Sequence, residues 1–262
     1  MEQRTLLESK RGAGLSFEVH EYKTLTGSSM LGAEALYYAR QAGVTLKQLA
    51  IRLEGGKALL QPGALQYMHG GVEMKVTGGG GGVGGFLSRA VSSAATGESA
   101  YKPEYAGRGV VWCEPTFKHL LISDLQGDDL LIDDGVFAAC ESSIKVGRHV
   151  NKNVGAAVLG GEGLVQSKLS GAGLFVLESP VPMSEVDVLR LSNDTLTVDG
   201  DLVMAYSASL DFRIEKSTKG ILSSARSGEG LVHVFRGSGE VWVTPTLGLH
   251  RAFEPVVVGA TK

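Results

Sequence analysis

Three similar segments recur along this chain of 262 residues, and they limit what it can fold into. Each has a glutamate beside a glycine, then a Gly-x-Gly triplet eight or nine positions after the glutamate, then an apolar run. The segments span residues 97–112, 161–177 and 228–243. Repeated units of this kind usually share a core instead of each owning one. The sequence therefore predicts one structural unit built three times.

Apolar residues also recur at equal offsets when Leu60, Ile132 and Val198 are aligned. The alignment matches three further sets, which are Met68 with Cys140 and Tyr206, Val72 with Ile144 and Leu210, and Met74 with Val146 and Phe212. Agreement at so many positions is not expected by chance. We therefore predict three β-rich repeats over residues 1–115, 116–180 and 181–262, the first with an N-terminal extension and a glycine-rich insertion.

The stretches between turn signals have the composition of β-strands. Val, Ile, Leu and Phe flank Asp, Asn, Pro and Gly, which favour tight reversals of the backbone. Leu15, Phe17 and Val19 alternate with polar residues, which is the period of a half-buried strand. We interpret residues 55–56 and the Gly-x-Gly triplets as turns, and residues 33–42 as either a short helix or two strand fragments. Short strands with frequent turns predict an all-β sandwich or barrel-like fold.

The first repeat contains an insertion with its own composition. Five glycines at 78–82 and two more at 84–85 precede an apolar stretch at 86–95 whose spacing fits a short amphipathic helix. A helix of under three turns is marginal unless it docks on something. We expect this insertion to touch a protein partner or a membrane surface. The candidate contact loop consists of Gly82, Gly85, Phe86, Leu87 and Arg89.

Composition and charge argue against several classes of protein. The net charge is −3, from 25 Lys and Arg against 28 Asp and Glu, so we expect no nucleic-acid partner. Cys113 and Cys140 belong to no C-x-x-C motif, and we expect both to be buried and reduced. No segment approaches the roughly 18 apolar residues that span a bilayer, and the N-terminus lacks the apolar core of a secretory signal.

Sequence motifs for catalysis or cofactor binding are missing. The glycine run lacks the Gly-Lys-Ser/Thr that holds phosphate in a P-loop, and no Gly-x-Ser-x-Gly elbow occurs. The six histidines form no metal-binding pair, and the aspartates of residues 124–134 lack the order of a calcium loop, so we interpret them as solvated turn carboxylates. We therefore predict no catalytic residue, no metal site and no cofactor.

The glycine run, Phe86-Leu87-Ser88-Arg89 and the three glutamate-to-glycine segments together resemble a known family over about residues 46–245. It is the mitochondrial-biogenesis family typified by altered inheritance of mitochondria protein 24, which has many bacterial members of unknown function. The resemblance implies three β-rich domains like the tryptophan RNA-binding attenuation protein, of the double-stranded β-helix type, around a pseudo-threefold axis. It implies no established enzyme activity. Family members typically have Lys-Arg where this chain has Ser88-Arg89.

A threefold arrangement would give three glutamates equivalent positions. These candidate residues are Glu98, Glu162 and Glu229. They either converge into an acidic ring that binds a cation or a basic partner, or each lies on an outer turn of its own repeat. The sequence leaves both alternatives open.

Repeat proteins present broad surfaces and exposed strand edges, which suit binding to partners. We therefore expect a non-enzymatic scaffold or binding module that associates with a protein partner, with itself or peripherally with a membrane. The alternative is a small-ligand or metal-binding sensor or enzyme with a pocket between repeats. We expect a cytoplasmic location in a bacterium, or a mitochondrial one if the source is eukaryotic.

Overall fold

The computed structural model describes residues 3–76, 102–133, 135–151, 164–199, 202–216, 231–247 and 249. Most of these residues lie in β-strands, with one α-helix and one 3₁₀ turn among them. The strands are β1 (Arg4–Arg11), β2 (Leu15–Tyr22), β3 (Lys47–Leu60), β4 (Leu65–Val76), β5 (Pro103–Cys113), β6 (His119–Gln126), β7 (Leu130–Ile132), β8 (Phe137–Glu141), β9 (Lys145–Asn151), β10 (Leu164–Ser170), β11 (Ala172–Ser179), β12 (Asp187–Asp199), β13 (Val203–Ser207), β14 (Asp211–Lys216) and β15 (Leu231–Val243). The helix is α1 (Met30–Gln41), and the 3₁₀ turn is Met183–Glu185. The all-β class predicted from the sequence is confirmed.

The chain divides into two compact units. The first unit comprises Met1–His149 and Gln166–Ser179, and the second comprises Val150–Val165 and Pro180–Lys262. Long strand pairs in both units are antiparallel. Antiparallel strands can be joined by short turns, which agrees with the frequent turn signals in the sequence.

In the first unit, β5 lies between β3 and β4 and pairs with both. Val111 of β5 lies opposite Ile51 of β3 on one side and opposite Met68 of β4 on the other. The hairpin of β1 and β2 extends this sheet beyond β3, with Phe17 opposite Ile51. The order across these five strands is therefore β1-β2-β3-β5-β4.

A second set of strands in the first unit has the same kind of pairing. Strand β11 lies between β6 and β8, with Val176 opposite Ile122 on one side and Ala139 on the other. Strand β10 pairs with β7, where Ser167 lies opposite Ile132. Because β8 also pairs with β3, the strands β6, β8 and β11 belong to one continuous sheet with β1 to β5, whereas β7 and β10 belong to the other sheet.

In the second unit, β15 takes the central position. It pairs with β12 along one side, and with β13 and then β14 along the other. Tyr206 of β13, Phe212 of β14 and Phe235 of β15 are buried, and their ring centroids lie 4.9 to 5.2 Å apart. Offset and edge-to-face aromatic contacts of this length are favourable. These rings form the centre of the core in the second unit.

Apolar residues at alternate positions of β2 and β3 form the core of the first unit. Leu15, Phe17 and Val19 of β2 are buried in one cluster with Leu49 and Ile51 of β3. Full burial of a large apolar side chain stabilises the fold by about 1.5–3 kcal/mol. The strand predicted from the alternation at residues 15–19 is confirmed, and its apolar face is the one that packs.

The Gly-x-Gly triplets do not form the turns that we expected from the sequence. Residues 107–109 lie inside β5 and residues 237–239 inside β15, while Gly171 alone separates β10 from β11. The first glycines, Gly107, Gly171 and Gly237, have φ angles of 122°, 115° and 120°. Residues with a side chain rarely adopt such angles. The triplets at 107–109 and 237–239 therefore lie within continuous strands, while Gly171 marks the boundary between β10 and β11.

The turn expected at residues 55–56 is also wrong. Strand β3 continues through these glycines, and its register with β5 shifts between Glu54 and Lys57. Such a shift is a β-bulge, which bends a strand without ending it. Residues 55–56 therefore form a bulge within β3 and not the predicted turn.

Of the two alternatives for residues 33–42, the helix is correct. Helix α1 begins after Ser29, whose Oγ accepts a hydrogen bond from the backbone N of Gly32 at 3.1 Å. A serine in this position satisfies one of the free N–H groups at a helix start. No residue of α1 is buried, so packing contributes little to its stability.

Glu141 is a buried carboxylate that connects β8 to the β1–β2 turn and to β11. Its Oε1 accepts a hydrogen bond from the backbone N of Ala13 at 2.6 Å, and its Oε2 accepts one from Leu174 at 2.7 Å. A Cβ atom on Gly12 or Gly173 would overlap this carboxylate. Because a buried charge is costly unless it is hydrogen-bonded, the two backbone donors make this position tenable.

We expect Gly107→Ala to lower the free energy of unfolding by at least about 2 kcal/mol. Its φ is +122° and a Cβ there would overlap the carbonyl oxygen of Gly71. Gly237→Ala has a similar φ, but its Cβ would meet no atom closer than 3.9 Å, so we expect a loss of about 1 kcal/mol. Urea denaturation of the intact chain measures both.

The control is Gly147→Ala, because a Cβ at Gly147 would meet nothing within 4 Å and its φ is ordinary. We expect a change within about 0.5 kcal/mol for this substitution. Equal losses for Gly107→Ala and Gly147→Ala would show that the triplet imposes no special conformation.

Candidate functional site

The two cysteines are buried, as the sequence predicted. Burial raises the pKa of the Cys113 thiol to about 12, and burial also raises the pKa of Cys140. Both thiols therefore stay protonated at neutral pH, and neither is an activated nucleophile. Within the described ranges, no group of three or more His, Cys, Asp or Glu side chains is placed to hold a metal ion.

Arg4 lies among aromatic side chains on the first unit. We call this set the Arg4 cluster, and it consists of Arg4 of β1, Tyr22 of β2, Tyr67 of β4 and Trp112 of β5. The guanidinium carbon lies 4.7 Å from the centroid of the Tyr22 ring and 4.5 Å from that of Trp112. Both distances fall within the roughly 6 Å range of cation–π attraction. One cation therefore contacts rings from two other strands.

Hydrogen bonds fix the orientation of this guanidinium. Arg4 donates to the hydroxyl of Tyr22 at 2.8 Å and to that of Tyr67 at 3.2 Å. Burial lowers the pKa of Arg4, but the two hydrogen bonds outweigh it and the pKa is raised. The Tyr67 ring also stacks on Trp112, with centroids 6.0 Å apart. Arg4 is thus charged and held in one orientation between rings.

Gln48 of β3 supports the cluster from within the sheet. It is fully buried, and its Oε1 accepts a hydrogen bond from the Tyr22 hydroxyl at 3.1 Å. Its Nε2 donates to the backbone oxygen of Cys113 at 2.7 Å and to Oε1 of Gln66 at 2.6 Å. A buried amide with these partners has little freedom to rotate. It therefore holds the Tyr22 ring in place.

The strand register explains why these rings meet. Trp112 of β5 lies opposite Ala50 of β3 and opposite Tyr67 of β4. Directly opposite residues share a face, with Cβ atoms about 4.5–5.5 Å apart. Because Ala50 is small, the indole extends toward His20, whose ring centroid lies 5.0 Å away. Four strands thus contribute to one aromatic surface.

An ionised carboxylate lies beside the cluster. Glu18 Oε1 accepts a hydrogen bond from Arg52 Nε at 2.9 Å, and its Oε2 lies 3.1 Å from His20 Nε2. Burial raises the pKa of Glu18, but the hydrogen bonds from Arg52 and His20 outweigh it, so the pKa lies below its usual value. Glu18 therefore connects the aromatic surface to a second arginine.

The Arg4 cluster has the composition of a protein-binding surface. Tyr67 is exposed, and Tyr22 and Trp112 are half-buried. Trp, Tyr and Arg most often dominate binding energy at interfaces, since each combines a large rigid contact area with a polar group. The chemistry available to these groups is stacking and hydrogen bonding.

None of the site residues predicted from the sequence belongs to the Arg4 cluster. The candidate contact loop (Gly82, Gly85, Phe86, Leu87, Arg89) and the candidate acidic ring (Glu98, Glu162, Glu229) lie outside the described residues. Two of the turn aspartates, Asp124 and Asp129, form ion pairs with lysines, which agrees with solvated carboxylates. The Arg4 cluster was missed because its members are spread over residues 4–112, and no local motif joins them.

The described part of the chain contains no helix with the length and apolar character needed to cross a membrane.

We expect Glu18→Gln to lower the free energy of unfolding by about 1 kcal/mol at neutral pH, because Arg52 loses its anionic acceptor. The pKa of Glu18 is lower in the folded state than in the unfolded state, so its stabilising effect is present above the ordinary carboxyl pKa and is lost as the pH falls through the folded-state pKa. The difference between wild type and variant should therefore shrink below about pH 4.

Thermal unfolding at a series of pH values measures this difference. Glu54→Gln is the control, because Glu54 is an exposed carboxylate that pairs with Arg11 at 3.4 Å, and we expect it to have little effect. A Glu18→Gln difference that does not change with pH would rule out an ionised Glu18 as the source of the stabilisation.

Comparison with other proteins identifies relatives of this chain. An uncharacterized protein of Streptococcus pyogenes serotype M6 is 28% identical over 195 residues, which cover 72% of this chain and 77% of that protein. The crystal structure of a Streptococcus pyogenes protein matches with a TM-score of 0.54 at 24% identity, and covers 80% of this chain and 95% of that one. This second likeness shows a shared fold.

The mitochondrial biogenesis AIM24 family matches residues 39–246, which is most of the chain. The match begins inside α1, so β1 and β2 precede it, while Tyr67 and Trp112 fall within it. The resemblance drawn from the glycine and glutamate segments is therefore confirmed. The chain belongs to the mitochondrial biogenesis AIM24 family.

Proposed function

We propose that this protein is a non-enzymatic β-rich scaffold or binding module that binds a protein partner through its first unit. The observation that carries the proposal is the Arg4 cluster, in which Arg4 contacts two rings at 4.5 and 4.7 Å on the sheet formed by β1 to β5. Side chains that are already ordered lose little conformational entropy on binding. A surface of this kind gains affinity because little remains to be fixed when the partner arrives.

The internal triplication is part of this proposal. Strands β5, β11 and β15 each pair on both sides. In each of them, the second glycine of the Gly-x-Gly triplet lies opposite a leucine of the strand that comes first in the set, which is β3, β6 or β12. These pairs are Leu53 with Gly109, Leu125 with Gly173, and Leu191 with Gly239. The residue two positions after each leucine has a positive φ, at Gly55 (104°), Gly127 (102°) and Asn193 (52°). Equal pairing and positive φ angles at aligned positions support one unit built three times.

A further equivalence concerns the side chain that faces the second glycine. Glu141 Oε2 accepts a hydrogen bond from the backbone N of Leu174 at 2.7 Å. Ser207 Oγ accepts one from Glu240 at 2.9 Å. The donors, Leu174 and Glu240, directly follow the triplets at 171–173 and 237–239. The acceptors, Glu141 and Ser207, directly follow Cys140 and Tyr206, which are aligned in the sequence repeat. This shared contact is a second line of support for the triplication.

Several finer features of the proposal stay predictions. These are the boundaries at 1–115, 116–180 and 181–262, an arrangement around a pseudo-threefold axis like that of the tryptophan RNA-binding attenuation protein, and a cytoplasmic location. The candidate contact loop and the acidic ring have the same status, as does a peripheral membrane contact. The alternative of a small-ligand or metal-binding sensor also stays a prediction, and the Arg4 cluster favours the binding module over it.

We expect Tyr67→Ala to reduce recovery of a partner by at least about tenfold, which corresponds to the 1.4 kcal/mol or more that an aromatic interface residue typically contributes. The measurement is affinity purification of the full chain from its native host, with quantification of each co-purified protein. Tyr37→Ala is the matched control, because Tyr37 is an exposed tyrosine of α1 outside the Arg4 cluster. A partner recovered equally well with both variants would show that the Arg4 cluster is not the binding surface.

A further inference from the structure

Strand β4 is unusually exposed for a strand of its length. None of its described side chains is buried. Tyr67, Met68 and Met74 are among the most exposed large apolar residues of the sheet. Met68 and Val72 share the face of the sheet that elsewhere carries the core, because they lie opposite Val111 and Gly107 of β5. The core-side face of β4 is therefore apolar and open to solvent.

The aligned positions of the other repeats are much more deeply buried. Met68 and Met74 are 39% and 50% exposed. Their equivalents are Cys140 at 0%, Tyr206 at 1% and Phe212 at 2%, with Val146 half-buried. Burying large apolar groups is favourable in proportion to the area removed from water. The first repeat thus leaves exposed the apolar side chains whose equivalents the other two bury, and among the described residues nothing covers Met68 or Met74 to the same extent.

The outer edge of β4 is also unpaired. Among the described residues, β4 pairs with β5 alone, so the backbone N–H and C=O groups that point away from β5 have no strand partner. An exposed strand edge of this length is a template for pairing with another strand. An occupant that adds a strand here would satisfy these groups and would set its own side chains beside Met68 and Met74.

The sequence of β4 is complementary to itself about Gly71. An antiparallel pairing centred on Gly71 sets Met68 opposite Met74 of a second copy, which joins two apolar side chains. It also sets His69 opposite Glu73 and Tyr67 opposite Lys75 of that copy. The first of these polar pairs offers an imidazole to a carboxylate, and the second places an ammonium beside an aromatic ring. Each pair occurs twice, as a two-fold axis requires.

We propose that β4 pairs antiparallel with β4 of a second copy of this chain, with Gly71 on the two-fold axis. The pairing joins the two sheets into one and sets the two apolar faces side by side on the same side of that sheet. Gly71 suits the axis because its φ is not positive and a Cβ there would approach nothing closer than 3.6 Å. This inference deepens the proposed binding role by naming one partner, and it does not depend on the identity of any other.

Two other edge strands are less suited to pair with themselves. Pairing of β12 along its whole length sets Asp187 opposite Asp199, and its ladder with β15 is interrupted after Leu191. Pairing of β1 along its whole length sets Arg4 opposite Arg11. Like charges directly opposite each other destabilise a strand pair. Charge thus favours β4 over both.

Cysteine cross-linking tests the register. Gly71→Cys places two thiols opposite each other across the axis, at the roughly 4.5–5.5 Å Cα separation that a disulfide accepts. Glu73→Cys is the matched control, since its partner is His69 and two cysteines at 73 lie about 14 Å apart. The native Cys113 and Cys140 are buried and do not interfere.

On mild oxidation with diamide, we expect Gly71→Cys to give a disulfide-linked dimer and Glu73→Cys to stay largely monomeric on a non-reducing gel. Equal cross-linking of the two variants, or none with Gly71→Cys, would overturn the register. Thermal unfolding of both reduced variants first checks that each is folded.

Sedimentation equilibrium tests the assembly itself. We expect a dimer for wild type, a monomer for Met74→Asp, and a dimer for the control Leu189→Asp, which alters an exposed leucine of β12. A monomeric or trimeric wild type, or a Met74→Asp variant as dimeric as wild type, would overturn the proposal. Met74→Asp leaves Tyr67 and the rest of the Arg4 cluster unchanged, so loss of the dimer in this variant and loss of a different captured protein in Tyr67→Ala can be told apart.

Discussion

Each set of strands depends on a glycine triplet in the strand that pairs on both sides. That strand has a paired strand along each edge, so its backbone at a bend lies against the backbone of its neighbours and not against solvent. Near Gly171, a Cβ would lie 2.7 Å from the carbonyl oxygen of Ser143, and near Gly107 it would overlap that of Gly71. Only glycine tolerates both the positive φ and this close approach. The bend lets the sheet curve around the apolar side chains that alternate along β2 and β3, and so the core depends on it.

The strands β3 to β5 keep this backbone plan, but β4 leaves apolar side chains exposed. Their central strand β5 pairs on both sides, as β11 and β15 do, yet Met68 and Met74 of β4 stay exposed. The same strand contributes Tyr67 to the Arg4 cluster on its other face. One strand therefore presents an ordered aromatic surface on one side and an apolar surface on the other. Under the proposed function, both surfaces of β4 would serve binding, while the strands around β11 and β15 would serve mainly to hold the fold.

The sequence predicted the class of fold because alternation and turn composition are local properties. The strand at 15–19 and the burial of both cysteines followed directly from them. The kind of irregularity at each glycine did not follow, because a bulge inside β3 and a turn between strands have the same composition and differ only in pairing. The Arg4 cluster was also beyond reach, since Arg4 and Trp112 meet only through the register of four strands. The self-complementarity of β4 is readable from sequence, but only once its exposure and free edge are known.

Pairing of β4 with a second chain is tested most directly by residue-resolved amide hydrogen exchange along residues 65–76. In a strand paired on one side only, the amides that point outward exchange nearly as fast as in an unstructured chain, and the others are protected. We predict that consecutive amides of β4 are all protected, like those of β5, whereas β12 shows alternate protection. Alternate protection in β4 like that in β12 would contradict the pairing.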